Sequence, residues 1–315
     1  MKAIRIHEFG GPEVLNIEDV PEPHPGKGQV RVRVTAVSLN VADVFAYSSQ
    51  QVADMFGLPL PLGMGNDFAG VIDEVGENVT GYAVGDRVFG GARERAAAEY
   101  IVVDPQQLGA PRTPVADELY HSPDGADDAV LSTIQTSGLT ADAAIDALHL
   151  TSDDTVLIGG AAGGVGTVAV QLAKLTGARV IGTASPSTFS FLEQFGAEPV
   201  AYGDGLADRV RQLAPNGITA AADVYGTEAA QTALDLGVDA KRITAVATRD
   251  PKLVEQGIIL TGSLTAPADS SDRLARLMAE GKLTVPVTTF PLDQVREATE
   301  SLIKRHTHGK IVITL

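Results

Sequence analysis

Residues 155–175, TVLIGGAAGGVGTVAVQLAKL, decide how the rest of the chain is read. Residues 155–159 are a short apolar run of the kind that forms a buried parallel strand. Gly160, Gly163 and Gly166 follow at spacings of three, with Ala161, Ala162 and Gly164 between them. Val165, Val168, Leu172 and Leu175 then recur at helical spacing, and Gly177 supplies a stop. Strand, glycine turn and helix in that order predict a dinucleotide-binding unit. Small residues let the backbone approach a pyrophosphate, whose charge is stabilised by free N–H groups and the dipole at the helix N-terminus. A glycine-rich turn with no ligand is the competing interpretation of the same residues.

With 315 residues there is room for two domains, and a hydrophobic content of 44% is ordinary for a globular protein. The formal net charge of −16 and a pI near 4.7 argue against nucleic acid or an anionic membrane as partner, because a polyanion is repelled. The absence of cysteine excludes disulfides, thiolate catalysis and cysteine-ligated zinc. MKAIRIHEFG lacks the apolar core of a signal peptide, and no apolar run approaches the ~18 residues of a membrane span, so a cytoplasmic protein is expected.

Upstream of the glycines, residues 1–37 read as strands broken by turns at Gly10-Gly11-Pro12 and at a proline-rich connector, 21–28. Residues 29–37, QVRVRVTAV, alternate strictly, which predicts a half-buried antiparallel strand with Arg31 and Arg33 on its solvated face. A short helix is expected over 38–47, and strands over 71–75 and 86–89. The N-terminal third is therefore a β-rich, turn-dense unit. Downstream, apolar runs at 179–183, 199–202, 220–225, 242–247 and 258–262 alternate with helical segments, predicting a doubly wound parallel sheet. The tail reads as helix 273–280, strand 285–290, helix 292–304 and strand 310–314.

Gly65-Asn66-Asp67-Phe68-Ala69-Gly70, Glu74-Val75-Gly76 and Gly85-Asp86-Arg87-Val88 resemble the GroES-like domain of the medium-chain dehydrogenase/reductase superfamily. AAGGVGTVAVQLAK resembles the coenzyme motif of its quinone oxidoreductase (zeta-crystallin-like) branch. The resemblance spans nearly the whole chain. It implies an α/β fold: a GroES-like β-rich catalytic domain, residues 1–122 and 266–315, joined to a Rossmann doubly wound parallel-sheet coenzyme domain, residues 123–265.

Zinc members of that superfamily carry a cysteine just after the strand that ends here at Val37, and Gly-His-Glu where this chain has Gly65-Asn66-Asp67. Asn40 and Asn66 fall at the cysteine and histidine positions. Amides are poor zinc ligands, since zinc selects thiolate, imidazole and carboxylate. The four-cysteine lobe is also missing, because GGARERAAAEY runs straight into a strand at 100–103. A zinc-free enzyme is expected. Without a Lewis acid to stabilise an alkoxide, reduction of an already activated quinone or enone remains feasible.

Residues 109–122 (GAPRTPVADELYHS) read as an insertion of about a dozen residues relative to the family. Its Tyr120 and His121 are either acid groups over the active site or part of a surface excursion. Residues 134–141, IQTSGLTA, resemble the family's Leu-Pro-x-Ala-Gly-x-Thr-Ala with Gln135 in place of proline. The resemblance places Thr140 beside the nicotinamide; by pattern alone it is a residue of a buried helix. The coenzyme is expected to touch Gly160, Ala162, Gly163, Gly164, Val165 and Gly166. An NAD-preferring protein carries an acid about 20 residues beyond the glycines. Here the second strand ends in Thr183-Ala184-Ser185-Pro186-Ser187-Thr188, which favours NADPH and leaves NADH possible with weaker preference. Ser185 and Ser187 read equally well as turn residues. Tyr202 matches a family tyrosine at the 2′-phosphate end. Val246 and Ala247 close a strand at the ligand edge of the sheet, and Arg249 beyond them is either a phosphate ligand or a solvated loop residue. His306 and His308, with no carboxylate or cysteine nearby in sequence, read as surface residues rather than a metal pair.

The expected activity is NADPH-dependent hydride transfer to a quinone or enone, with Asn40 and Thr140 fixing the nicotinamide. Asn40 is also a candidate hydrogen-bond donor to the acceptor oxygen. Tyr47, Asp43 and Asp67 are candidate acids, and Phe45 stands where relatives often have tyrosine. An enoyl reductase of polyketide or fatty-acid type, and an NADPH-binding protein without turnover, are the alternatives. The resemblance also implies a homodimer formed through an edge strand at 258–262.

Overall fold

The computed structural model describes the chain except for residues 106–111, 114–115, 247, 249 and 305–307 and the side chain of Phe56. It divides into two units, Met1–Thr136 with Ser271–Leu315, and Ser137–Ser270. The expected boundaries at 123 and 266 therefore move to 137 and 271. Residues 123–136 belong with the first unit because Asp128 anchors them there. Its carboxylate accepts from Thr35 Oγ1 at 2.7 Å and pairs with Arg87 at 2.5 Å.

In the first unit, β1 (Lys2–Arg5) and β2 (Asn16–Asp19) form a separate antiparallel pair. The main sheet begins with β3 (Val30–Ser38), β4 (Asp67–Val75), β5 (Arg87–Gly91), β6 (Tyr100–Val103) and β7 (Glu118–His121). Helices α1 (Val41–Ser48), α2 (Gln50–Phe56) and α3 (Asp128–Leu131) flank it. The alternating valines of β3 are buried, as their spacing demands. Its arginines are not equivalent. Arg33 is exposed, but Arg31 makes two 3.0 Å hydrogen bonds to Asp73 and lies over the Tyr100 ring at 5.0 Å. Pairing of β3 with both β4 and β6 brings those partners alongside it, so the expected solvated face is only half solvated. The 109–122 segment is not wholly an excursion either, since β7 pairs antiparallel with β5 and Leu119 is buried.

The second unit opens with α4 (Leu139–Asp146) and continues with β8 (Thr155–Gly159), α5 (Gly164–Leu175), β9 (Arg179–Ala184), α6 (Phe189–Glu193) and β10 (Glu198–Ala201). Then come α7 (Leu206–Leu213), β11 (Ala220–Asp223), α8 (Glu228–Asp235), β12 (Ile243–Val246), α9 (Pro251–Glu255) and β13 (Ile259–Thr261). The strands are all parallel, in the order β10-β9-β8-β11-β12-β13. This is the doubly wound dinucleotide-binding order, with its switch point between β8 and β11.

At that switch point Asp223 is buried, and its carboxylate accepts from the backbone N–H groups of Tyr225, Gly226, Ala229 and Ala230 at 2.8–3.2 Å. It caps α8 from the end of β11. Asp223→Ala leaves these donors without a partner and is expected to destabilise the protein by about 3 kcal/mol, read as a lowered midpoint in urea. A midpoint unchanged from wild type would contradict this assignment.

The chain returns to the first unit through α10 (Ser270–Ala279), β14 (Val287–Pro291), α11 (Val295–Ile303) and β15 (Lys310–Thr314). β15 pairs parallel with β14 and antiparallel with β3, with Val312 opposite Ser38. Leu39 N donates to Ile311 O at 2.9 Å. This register sets the first residue of β15, Lys310, against Leu39 and Asn40 at the end of β3.

Candidate active site

Each unit carries one concentration of functional features. In the second unit, Gly160 takes φ +67°, a left-handed conformation that a side chain disfavours, and Tyr225 leaves no room beside it for a Cβ (2.5 Å). A Cβ on Gly166 would fall 2.2 Å from Gly160 O, so turn and helix touch backbone to backbone. Gly163 is different: a Cβ there meets only Gly160 O, at 3.5 Å. Gly163 is the N-cap of α5 and no side chain caps that helix. Residues 162–165 are partly exposed while Gly166 is buried. A bare, uncapped first turn at the C-terminal end of β8 fits the pyrophosphate of a dinucleotide. The turn is tied to β9, with Gly160 N donating to Thr183 Oγ1 at 3.0 Å and Ala161 N to Thr183 O at 3.2 Å.

Beyond β9, the Ser185 and Ser187 hydroxyls lie 2.9 Å apart, and no carboxylate belongs to that turn. Tyr202, past the end of β10, is 58% exposed. The guanidinium of Arg209 beneath it is committed to the carbonyl oxygens of Ala201, Tyr202, Gly203 and Asp204. Thr140 is buried in the first turn of α4. Val246 ends β12, and the expected contacts Ala247 and Arg249 lie outside the described residues.

In the first unit, the end of β3, the start of α1, the start of β4 and the start of β15 together bury a polar cluster. Lys310 Nζ donates to Leu39 O at 2.7 Å and to Asn40 Oδ1 at 2.5 Å. Asn40 Nδ2 donates to Ser38 O and to Asp67 Oδ2, both at 3.3 Å. Asp67 also accepts from Thr136, with Oγ1 to Oδ1 at 2.6 Å and N to Oδ2 at 3.0 Å. Asp43 accepts from Asn40 N at 2.7 Å and from Asn66 Nδ2 at 2.8 Å, and Glu94 N donates to Asn66 Oδ1 at 3.2 Å. Asp43, Asp67, Glu94 and Lys310 are all buried.

Burial governs the titration of this cluster. It lifts the Asp67 carboxyl to about 6, against the opposing pull of Lys310 and the Thr136 hydrogen bonds. It lifts Glu94 to about 7, and it holds Asp43 well above the usual carboxylate range with help from Glu94 and Asp67. It brings Lys310 down to about 8, although Asp67 and Asp43 favour the charged form.

Several sequence expectations change here. Tyr47 is wholly buried in the hydrophobic core of the first unit. Burial, then Asp43 and Glu13, pushes its phenol above the ordinary value, which makes it a weaker acid. The Asn40 amide donates to Ser38 and Asp67 and so organises the cluster. Tyr120 stacks on Phe89 and donates to Glu118, and His121 stacks on Tyr82, so both are strand residues of β7. Phe45 is half-exposed. Among the described residues no group of three or more His, Cys, Asp or Glu side chains is placed to hold a metal ion; His308 is exposed and His306 lies outside the described residues. Sequence reasoning missed Lys310, Glu94 and Thr136. Lys310 opens an apolar strand and, 270 residues from Asn40, has no local signal that would pair the two.

Residues 26–111 match the alcohol dehydrogenase GroES-like domain, and residues 195–313 match the family described as zinc-binding dehydrogenase. The chain is 31% identical to a quinone oxidoreductase of Pseudomonas aeruginosa, over 99% of both chains. It is 30% identical to a 2-haloacrylate reductase of a Burkholderia species, over 98% of this chain and 97% of that one. The solved quinone oxidoreductase of Coxiella burnetii superposes with a TM-score of 0.85 at 29% identity, covering 100% of this chain and 99% of that one. A GroES-like unit interrupted by a doubly wound parallel-sheet unit, with relatives matched from end to end, settles the family: the chain belongs to the quinone oxidoreductase family of the medium-chain dehydrogenase/reductases.

Proposed function

We propose that this protein is a zinc-independent, NADPH-dependent reductase of quinones or enones. The observation that carries the reading is the bare glycine turn and uncapped α5 at the switch point of the parallel sheet, in a chain of this family. Gly160, Ala162, Gly163, Gly164, Val165 and Gly166 would hold the pyrophosphate, and Thr183, Ser185 and Tyr202 the adenosine end. Thr140, and Asn40 as organiser of the cluster in the first unit, are kept for the nicotinamide end on the family resemblance. When bound, the coenzyme supplies a hydride. The hydroxyls of Ser185 and Ser187 can donate to a 2′-phosphate, and no acid in their turn repels it, which favours NADPH with NADH as the weaker ligand. Zinc independence is supported by the donor set: amides stand at Asn40 and Asn66, and the Lys310 ammonium lies against Asn40, where it would repel a second cation.

The substrate is a small molecule whose reduction needs no metal. Quinones fit the name of the Pseudomonas relative, and activated alkenes that of the Burkholderia relative. The enoyl-thioester alternative differs in pocket shape rather than chemistry. No helix among the described residues is long and apolar enough to cross a membrane. β13 lies at the sheet edge with Leu260 half-exposed, which suits a homodimer seated on that edge.

Titration with NADPH and NADH, followed by nucleotide fluorescence and melting temperature, tests the coenzyme assignment. NADPH is expected to bind more tightly and raise the melting temperature. Turnover is then assayed against a quinone panel and an enone and enoyl-thioester panel. Indifference to both reduced coenzymes would defeat the reading, and binding without oxidation by any acceptor would favour a protein without turnover.

A further inference from the structure

Hydride delivery to an enone or quinone leaves an oxygen anion that needs a proton, and the site as described names no donor that reaches it. The buried cluster of the first unit holds a carboxyl that can carry one. Asp67 Oδ2 accepts two N–H hydrogens, from Thr136 N and Asn40 Nδ2. The proton of the neutral acid is therefore carried on Oδ1, which faces Thr136 Oγ1 at 2.6 Å. In that state Asp67 donates to the threonine, and the threonine's own hydrogen is free to turn elsewhere. Along the line from Lys310 through Asn40 and Asp67 to Thr136, the first three side chains are buried, and Thr136 is the one with exposed surface.

We propose that Thr136 is a catalytic residue whose hydroxyl passes a proton from Asp67 Oδ1 to the oxygen of the reduced acceptor, an inference that rests on the hydride-transfer reading above. For an enone, the arriving hydride forms a C–H bond at the β carbon and the double-bond pair moves to leave an enolate oxygen. The Thr136 O–H bond breaks as its hydrogen goes to that oxygen, and the Asp67 O–H bond breaks to restore the hydroxyl. The enol then tautomerises to the ketone. For a quinone the same hydride and proton make the hydroquinone. The reduced nicotinamide nucleotide supplies two electrons and one hydrogen, Asp67 supplies one proton, and water returns it. The charged groups facing Asp67 are Lys310 from β15 and Asp43 from α1, and Asp43 in turn feels Glu94, itself beside Arg93, from the segment after β5. Lys310 stabilises the carboxylate left after transfer. A carboxyl near 6 is matched to proton donation close to neutrality.

The test compares wild type with Thr136→Val, Thr136→Ser and Asp67→Asn in coenzyme affinity, in the pH profile of kcat and in the infrared carboxyl stretch of the unliganded protein. Wild-type kcat is expected to fall as pH rises through about 6. Thr136→Val and Asp67→Asn should lose about 100-fold in kcat with coenzyme Kd unchanged, while Thr136→Ser keeps the wild-type profile. Of the protonated-carboxyl absorption at pH 5, to which Asp43 and Glu94 also contribute, one component should vanish in Asp67→Asn, and that same component should shift in Thr136→Val, which needs no turnover to observe. Wild-type kcat and pH profile in Thr136→Val, or an unmoved Asp67 component of the carboxyl absorption, would overturn the relay alone. A wild type that reduces no acceptor overturns the hydride-transfer reading and the relay with it.

Discussion

Gly166→Val is expected to abolish coenzyme binding, raising the Kd for NADPH at least 100-fold, and to lower the stability of the second unit. Any Cβ at this position falls 2.2 Å from Gly160 O and 2.6 Å from Ala161 Cα, so the turn and α5 must separate. The helix N-terminus then no longer faces the pyrophosphate, and overpacking of this kind adds about 1–3 kcal/mol of strain. Gly163→Ala separates the ligand from the architecture. Its Cβ meets only Gly160 O at 3.5 Å and its φ of −78° suits alanine, so the fold is kept. If the turn holds a pyrophosphate, even this methyl group should weaken NADPH binding in a protein that melts like wild type. Melting curves with and without NADPH read both variants. An undiminished NADPH shift in Gly166→Val would show that the glycines serve packing alone.

Lys310→Met is expected to be the most damaging change in the first unit, at about 3–5 kcal/mol, because it removes one partner of a buried charged cluster. Leu39 O and Asn40 Oδ1 lose their donor, and Asp67 and Asp43 lose the cation that favours their charged forms. The effect depends on pH with a definite sign. Asp67 has a folded pKa raised to about 6, so its contribution to stability is complete below its unfolded value and is lost as pH rises through about 6. Glu94 behaves alike through about 7. Without Lys310 the Asp67 carboxyl is still harder to ionise in the folded protein, and its loss extends to higher pH. Lys310 itself is depressed to about 8 and is neutral in the folded protein above that. The gap between wild type and Lys310→Met should therefore be narrow at pH 5, where the carboxyls are protonated, open as pH rises through about 6, and not close above about 8, because a lysine whose folded pKa is depressed adds stability as pH rises toward its unfolded value. Urea unfolding across that range measures it, and a gap independent of pH would mean that packing, not charge, keeps the lysine.

The two units differ in how much of them could be read from residues alone. The second is built from local signals: β-branched runs, glycine stops and helical spacing that repeat strand after strand. Its parallel order and the glycine turn follow from the pattern, because each strand–helix step is specified by residues within about 30 positions of one another. The β3 alternation and the closing strand 310–314 of the first unit are local in the same way. The family resemblance singles out Asn40 and Asn66, but the strand expected over 71–75 begins at Asp67, so the place of that carboxylate at the start of β4 was not legible.

Partnership across long sequence separations was decided by tertiary structure. That Arg31 is held by Asp73 and Tyr100, that residues 118–121 complete a sheet, and that residues 123–136 belong to the first unit depend on strands meeting far from where they stand in the chain. The burial of Tyr47 is of the same kind. So is the polar cluster, whose lysine reaches Asn40 only because β15 pairs with β3. Local patterns state which face of an element is apolar. Only the folded chain states which charge lies against which, and in a medium of low dielectric that proximity sets whether a carboxyl holds or releases its proton.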